Sequence, residues 1–234
     1  MDKFKILAAT VLLVGIFLGL QAHAATYTLY TSDDTTVVKQ WPTTNYDVSG
    51  GISTQYAPLF DYTSYAYFKF NLSGIPSGEV ITGAVLNLKQ YWGSGNEPHP
   101  GDNYGTNLYR IADDSWTETT ITWANQPAGG TFLDNNPNPG SYIGWSSWNL
   151  FPTWAPATDQ ADGFLSLQLR ETEEYTQAHS FYNGESYTAS ENRPYLIVTT
   201  LPSPNNPSVP EPTTMLLLGL GLIGLVGLKR KLRK

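Results

Sequence analysis

Cysteine is absent from all 234 residues. An exported chain without it has no disulfides and must be held by its core, and thiolate zinc sites are excluded. Histidine is nearly absent too. His23 lies in the N-terminal leader, His99 in a Pro-rich loop and His179 ahead of a predicted strand. No spacing pairs them on one face, as a metal centre or an acid–base site requires. The sequence also lacks a GxSxG elbow, an HExxH helix and a phosphate-cradling glycine loop. No internal repeat is visible, and no apolar run reaches the roughly 20 residues of an ordinary membrane span.

Two shorter apolar runs stand at the ends. Lys3 and Lys5 precede the run over 6–20, and Ala22-His23-Ala24 then offers small side chains at both positions a signal peptidase reads. Cleavage is expected after Ala24. At the other end, Val209-Pro210-Glu211-Pro212 leads into an uncharged, glycine-spaced stretch over 215–228, closed by Lys229, Arg230, Lys231, Arg233 and Lys234. At about 1.5 Å per residue this stretch reaches about 21 Å of a roughly 30 Å hydrocarbon core, and snorkelling lysines extend it. Basic residues flank both runs on the cytoplasmic side, so everything between is expected outside.

The order VPEP, apolar run, basic end resembles the PEP-CTERM sorting signal of Gram-negative bacteria that make extracellular polysaccharide. The resemblance implies an exosortase, an intramembrane transpeptidase, that cuts near Pro210 and Glu211 and releases or re-attaches the protein outside. The expected layout is a signal peptide over 1–24, a β-sandwich over 25–200, a Pro-rich linker carrying the PEP motif over 201–212, a transmembrane sorting helix over 213–228 and a basic cytoplasmic tail over 229–234. The precursor is thus expected in the inner membrane, and the mature protein at the cell surface or in the extracellular matrix.

Charge separates the ends from the middle. Of the 20 acidic residues only Asp2 and Glu211 fall outside 25–208, which leaves 18 there, against six basic ones: Lys39, Lys69, Lys89, Arg110, Arg170 and Arg193. Six minus 18 gives −12, whereas the whole chain carries −7. So acidic a surface repels nucleic acid. The region is long enough for one sandwich with a core and short for two domains. Abundant Tyr, Trp, Thr, Asn and Gly make it all-β. Alternation and turn residues predict strands at 26–30, 51–56, 64–71, 80–91, 106–111, 141–145, 163–170 and 193–200. Ala66, Phe68 and Phe70 would share the core face of one strand, and Ala84, Leu86 and Leu88 that of another. Long loops are predicted over 93–103 and 129–140, the kind that carries binding residues.

Three blocks then add up. Residues 64–78 (SYAYFKFNLSGIPSG) with 80–88 (VITGAVLNL), residues 108–110 with 115–127 (SWTETTITWANQP), and the end from Phe181 through Glu191 to Arg193-Pro194-Tyr195-Leu196-Ile197-Val198-Thr199 resemble, in order, the blocks of DNRLRE domains. The resemblance implies a single jelly-roll β-sandwich, a kind found beside polysaccharide lyases and in cell-surface proteins and acting in some members as a carbohydrate-binding module. Two departures bear on the ligand: Asn45-Tyr46-Asp47 replaces the usual Asn-Tyr-Gly, and the basic residues of an alginate binder are few.

Catalytic residues are not expected. Asp113, Asp114 and Glu118 are the candidates for a hydrolase or lyase, and solvation of a surface turn is the preferred explanation for them. Trp116 and Trp123 are expected to pack between the sheets. The aromatic cluster Trp145, Trp148, Phe151 and Trp154 is open equally to sugar stacking, chiefly by its tryptophans, and to core packing, and Tyr91, Trp92 and Tyr104 beside the 93–103 loop are the second stacking candidates. Asp33 and Asp34 near the first strand, with Glu191 near the last, offer hard oxygen ligands for a structural Ca²⁺. The expected function is a non-catalytic extracellular module that binds or embeds in exopolysaccharide. The alternatives are a matrix protein with no small ligand, and a polysaccharide lyase or hydrolase.

Overall fold

Strands form where β-branched and aromatic residues alternate with polar ones between turn residues. The structure, a computed structural model, describes residues 23–46, 51–95, 105–138, 141–172, 176–185, 190–203 and 219. Among these, ten strands follow one another: β1 Ala25–Val38, β2 Ile52–Ala57, β3 Tyr62–Asn71, β4 Glu79–Gly95, β5 Thr106–Ile111, β6 Thr131–Asn136, β7 Gly144–Asn149, β8 Phe164–Glu171, β9 Gln177–Phe181 and β10 Tyr195–Pro202. One short helix, α1 Ala157–Asp162, separates β7 from β8. The chain divides into a unit over 25–200 and a second made of the two ends. The signal run and the sorting motif lie outside the described residues. No helix among the described residues is long and apolar enough to cross a membrane.

The fold is the expected all-β sandwich, and β1 shows how its layers join. Its first half pairs antiparallel with β10, Ala25 opposite Thr200 through Tyr30 opposite Tyr195. Its second half pairs with β3, Thr31 opposite Phe70 through Val38 opposite Ser64. One layer runs β1, β10, β4, β7; the other runs β1, β3, β8, β5, β6, while β9 and β2 link β4 to β3. Ala66, Phe68 and Phe70 of β3, Leu165, Leu167 and Leu169 of β8, Leu86 and Leu88 of β4, Trp148 of β7 and Leu196 and Val198 of β10 meet in one core. Full burial of such side chains contributes about 1.5–3 kcal/mol each, which replaces the missing cross-links.

Ser32 is an extra residue in β1, because Thr31 faces Phe70 while Asp33 already faces Lys69. A bulge of this kind re-aims the side chains that follow it. Without it Asp33 would share a face with Leu29; with it Asp34 turns to the Phe68 side and Asp33 to the Lys69 side.

Four local expectations are corrected. The 129–140 stretch is not all loop but contains β6, whose polar TFLDNN sequence hid a strand held by pairing with β5. The strand expected at 141–145 is β7, three residues later. His179 lies inside β9, all five residues of which are buried although three are polar, so no alternation announced it. Trp116 and Trp123 do not pack between the sheets. They cover the opposite face of β3, where Trp116 joins Val37, Tyr67, Ile111 and Ile121 in a second apolar cluster against which Trp123 packs.

Candidate functional site

Aromatic and cationic side chains gather on the outer face of the β1–β10–β4–β7 layer. Tyr30 and Tyr195 are direct cross-strand partners and therefore share a face. So are Lys89 and Trp145. The Trp145 and Tyr195 rings meet at 5.2 Å, which puts both pairs on one surface. Lys89 Nζ stands 5.6 Å from the Trp145 ring, and the Arg193 guanidinium 5.0 Å from the Tyr30 ring. The result is a row of linked side chains: Arg193 on Tyr30, Tyr30 beside Tyr195, Tyr195 against Trp145, and Lys89 on Trp145. Tyr30 is 51% exposed and Trp145 36%, so the row is open to solvent. Neighbours one step along, Leu29, Leu196 and Leu88, point inward to the core.

Of the sugar-stacking residues expected from sequence, Trp145 belongs to this row. Trp148 and Trp154 are removed from that role: they are 0% and 2% exposed, and their indole N–H groups donate to Thr106 O (3.1 Å) and Asp159 Oδ2 (2.6 Å). Trp148 sits opposite Leu86, an inward position, while Trp145 takes the outward register. Tyr91 is the extra residue of a bulge in β4, between Gln90 opposite Phe181 and Trp92 opposite Ser180, and both Tyr91 and Trp92 are exposed. Tyr91 packs on Tyr182 at 4.9 Å, and burial of its hydroxyl end raises its pKa. Tyr104 lies outside the described residues. Sequence reasoning missed Tyr30, Tyr195, Lys89 and Arg193. Their outward parity was legible, but their adjacency depends on which strands become neighbours.

The other layer carries its own cation on aromatics: Arg170 lies 4.5 Å from the Tyr109 ring and 5.0 Å from Tyr65. Its guanidinium also donates to Gly129 O at 2.9 Å, two residues past the segment that covers β3. That segment, the SWTETTITWANQP block, is anchored at several points. Asn45 Nδ2 donates to Glu118 O (2.6 Å) and Ile121 O (2.7 Å), and Trp116 Nε1 to Ser166 Oγ (3.0 Å). Lys69 lies beneath it, 4.5 Å from the Trp116 ring and 3.5 Å from Asp33 Oδ2.

Among the described residues, carboxylates gather in two places. Asp34, Glu118 and Glu185 bring one oxygen each within 4.8 Å of one another, as do Asp114, Asp159 and Asp162. The three acids expected from sequence to share a Ca²⁺ do not come together: Asp34 lies in the first group, Asp33 faces Lys69 instead, and the exposed Glu191 lies in the 190–192 turn outside both groups. Burial raises the Asp34 pKa to about 7, and the charges of Glu185 and Glu118 push it the same way. Asp114 is also raised, chiefly by burial. Asp113 is exposed and lowered by its hydrogen bonds from Ser115. Asp114 and Glu118, the carboxylates considered for hydrolysis, thus fall in different clusters. Beside the second cluster, Arg110, Thr131, Leu133, Trp154 and Thr158 line a cavity of about 320 Å³.

A sandwich of this kind with aromatics on an open face is the architecture of a carbohydrate-binding module. Residues 25–200 match the model of carbohydrate-binding module family 96, and the chain belongs to that family. Residues 208–231 match the PEP-CTERM protein-sorting motif, which marks the chain for exosortase-dependent export to the cell surface. No curated protein matches the chain. Among solved structures it is similar to a chain in a structure of infectious bursal disease virus, Gt strain, at 14% identity and a TM-score of 0.21. The match covers 77% of this chain and 38% of the viral one, and that score relates neither fold nor function.

Proposed function

We propose that the domain is a non-catalytic module that holds an extracellular polysaccharide on the row Tyr30, Tyr195 and Trp145, with Lys89 and Arg193 against its rings. The observation that carries the reading is the row itself: Tyr30 opposite Tyr195 across β1 and β10, and the Tyr195 ring 5.2 Å from that of Trp145, on an exposed sheet face. Aromatic faces stack on pyranose rings, and the two cations suit sugars that carry carboxylates. The net charge of −12 over 25–208 (six basic residues less 18 acidic) opposes a dense polyanion, so the fitting ligand is a sparsely acidic chain. One such row binds weakly, and retention on a long polymer comes from many copies engaging it.

In this reading the signal peptide ends at Ala24, the domain spans 25–200, and the segment over 201–212 carries it away from the 213–228 sorting helix until an exosortase cuts near Val209-Pro210-Glu211-Pro212. The precursor is held in the inner membrane of a Gram-negative cell after signal peptidase has acted.

Affinity electrophoresis of the full chain in mild detergent, through gels containing exopolysaccharide, alginate or neutral glucan, tests the row. Trp145→Ala and Tyr30→Ala are each expected to weaken retention by about tenfold, the size of an exposed aromatic contact. Lys89→Met is expected to flatten its salt dependence. Undiminished retention in the doubly substituted protein, with its circular dichroism unchanged, would move binding off this face. Absence of retention in every gel would leave a matrix protein without a small ligand.

A further inference from the structure

Asp34, Glu118 and Glu185 reach one point from three separated stretches: β1 just after its bulge, the segment that covers β3, and the turn after β9. Asp34 is the buried member, 5% exposed. Its Oδ2 accepts hydrogen bonds from Thr31 Oγ1 (2.6 Å) and Gly184 N (2.8 Å). Its Oδ1 is sealed from solvent with no hydrogen-bond partner. A buried carboxylate oxygen left without a donor is costly, and here the neighbouring charges are carboxylates of the same sign.

The surroundings hold these acids in position. Glu118 Oε2 accepts from the Asp34 backbone N–H at 3.2 Å, and Glu185 Oε2 from Asn183 Nδ2 at 3.1 Å. Gly184 permits the close approach, because a Cβ there would stand 2.8 Å from Thr31 Oγ1 and 3.0 Å from Asp34 Oδ2.

We infer that Asp34, Glu118 and Glu185 form a binding site for a divalent cation of the Ca²⁺ type, which bridges β1, the covering segment and the turn after β9. The donors are hard oxygens without nitrogen or sulfur, which excludes a zinc preference. They come from an irregular, one-sided cluster with Glu185 exposed, so water can complete a flexible shell of about 6–8 oxygens. This suits Ca²⁺ better than the rigid octahedron of Mg²⁺. The site is separate from the aromatic row, and either can fail without the other.

The test uses the full chain in mild detergent, stripped with EDTA, with CaCl₂ titrated calorimetrically and thermal unfolding followed in parallel. Binding in the range of about 10⁻⁴–10⁻³ M, usual for extracellular modules, is expected together with a raised Tm. Glu185→Gln, at an exposed position that folding tolerates, is expected to weaken Ca²⁺ by at least about tenfold through loss of one ligand charge, as is Asp34→Asn. Glu191→Gln is expected to leave it unchanged. The inference is overturned by no heat and no Tm shift up to about 10 mM Ca²⁺, ten times the weak end of that range. Equal affinity in Glu185→Gln, or an equal response to MgCl₂, also overturns it.

Discussion

The two acidic trios differ in what the fold supplies to the most buried member. Asp159, fully buried in α1, receives Arg110 Nε at 2.7 Å, a second guanidinium nitrogen, and Trp154 Nε1 at 2.6 Å. The guanidinium fork and the indole use both of its oxygens. Asp34 is buried almost as deeply and receives two donors on one oxygen and none on the other. The first trio is completed by the protein. The second lacks a donor at its most buried oxygen, and charge of the opposite sign or a proton has to make up the difference. Like charges at close quarters therefore have no fixed meaning: the donors around the deepest acid decide between a structural ion pair and a cation site.

The largest expected effect comes from breaking the completed trio. Asp159→Ala leaves the Arg110 guanidinium and the Trp154 N–H without their partner and is expected to cost about 3–5 kcal/mol in urea unfolding. Asp34→Asn is expected to act in the opposite direction when EDTA is present. Since the folded pKa is raised to about 7 from 3.8, the folded state binds a proton that the unfolded state does not, and wild-type stability falls as pH climbs between those values. Neutralising the side chain should thus gain about 1–3 kcal/mol above pH about 7, and the gain should vanish toward pH 4. A destabilised Asp34→Asn at pH 8 in EDTA would show that the second trio is as well satisfied as the first. The smallest effect is that of Arg110→Lys, which keeps the charge but loses the fork, at about 1–2 kcal/mol of stability.

The covering segment shows where sequence reading reaches its limit. Ala66, Phe68 and Phe70 were legible as an inward face because a strand alternates every two residues. The same parity put Tyr65, Tyr67 and Lys69 outward. Nothing local announced that Trp116, Ile121 and Trp123 would fold over them and make that face a second core. Trp145 and Trp148 illustrate the same point on β7. Both looked like stacking residues, and a separation of three positions places one on each side of the sheet. For the acids, the sequence pointed to Asp34 from its place near the first strand, and the structure sets it among other carboxylates. Its partners Glu118 and Glu185 lie 84 and 151 residues away along the chain, and no spacing rule connects them.

The sequence by itself determined the all-β class, the core faces of the long strands, the membership of a carbohydrate-binding family and the sorting motif. Each of these is written in local periodicity or in a contiguous string. The tertiary structure alone decided which outward aromatics become neighbours, which tryptophans are withdrawn into the core, and which carboxylates share a point. Those outcomes depend on strand order, on one extra residue in β1 that turns Asp34 inward, and on contacts between stretches far apart in the chain.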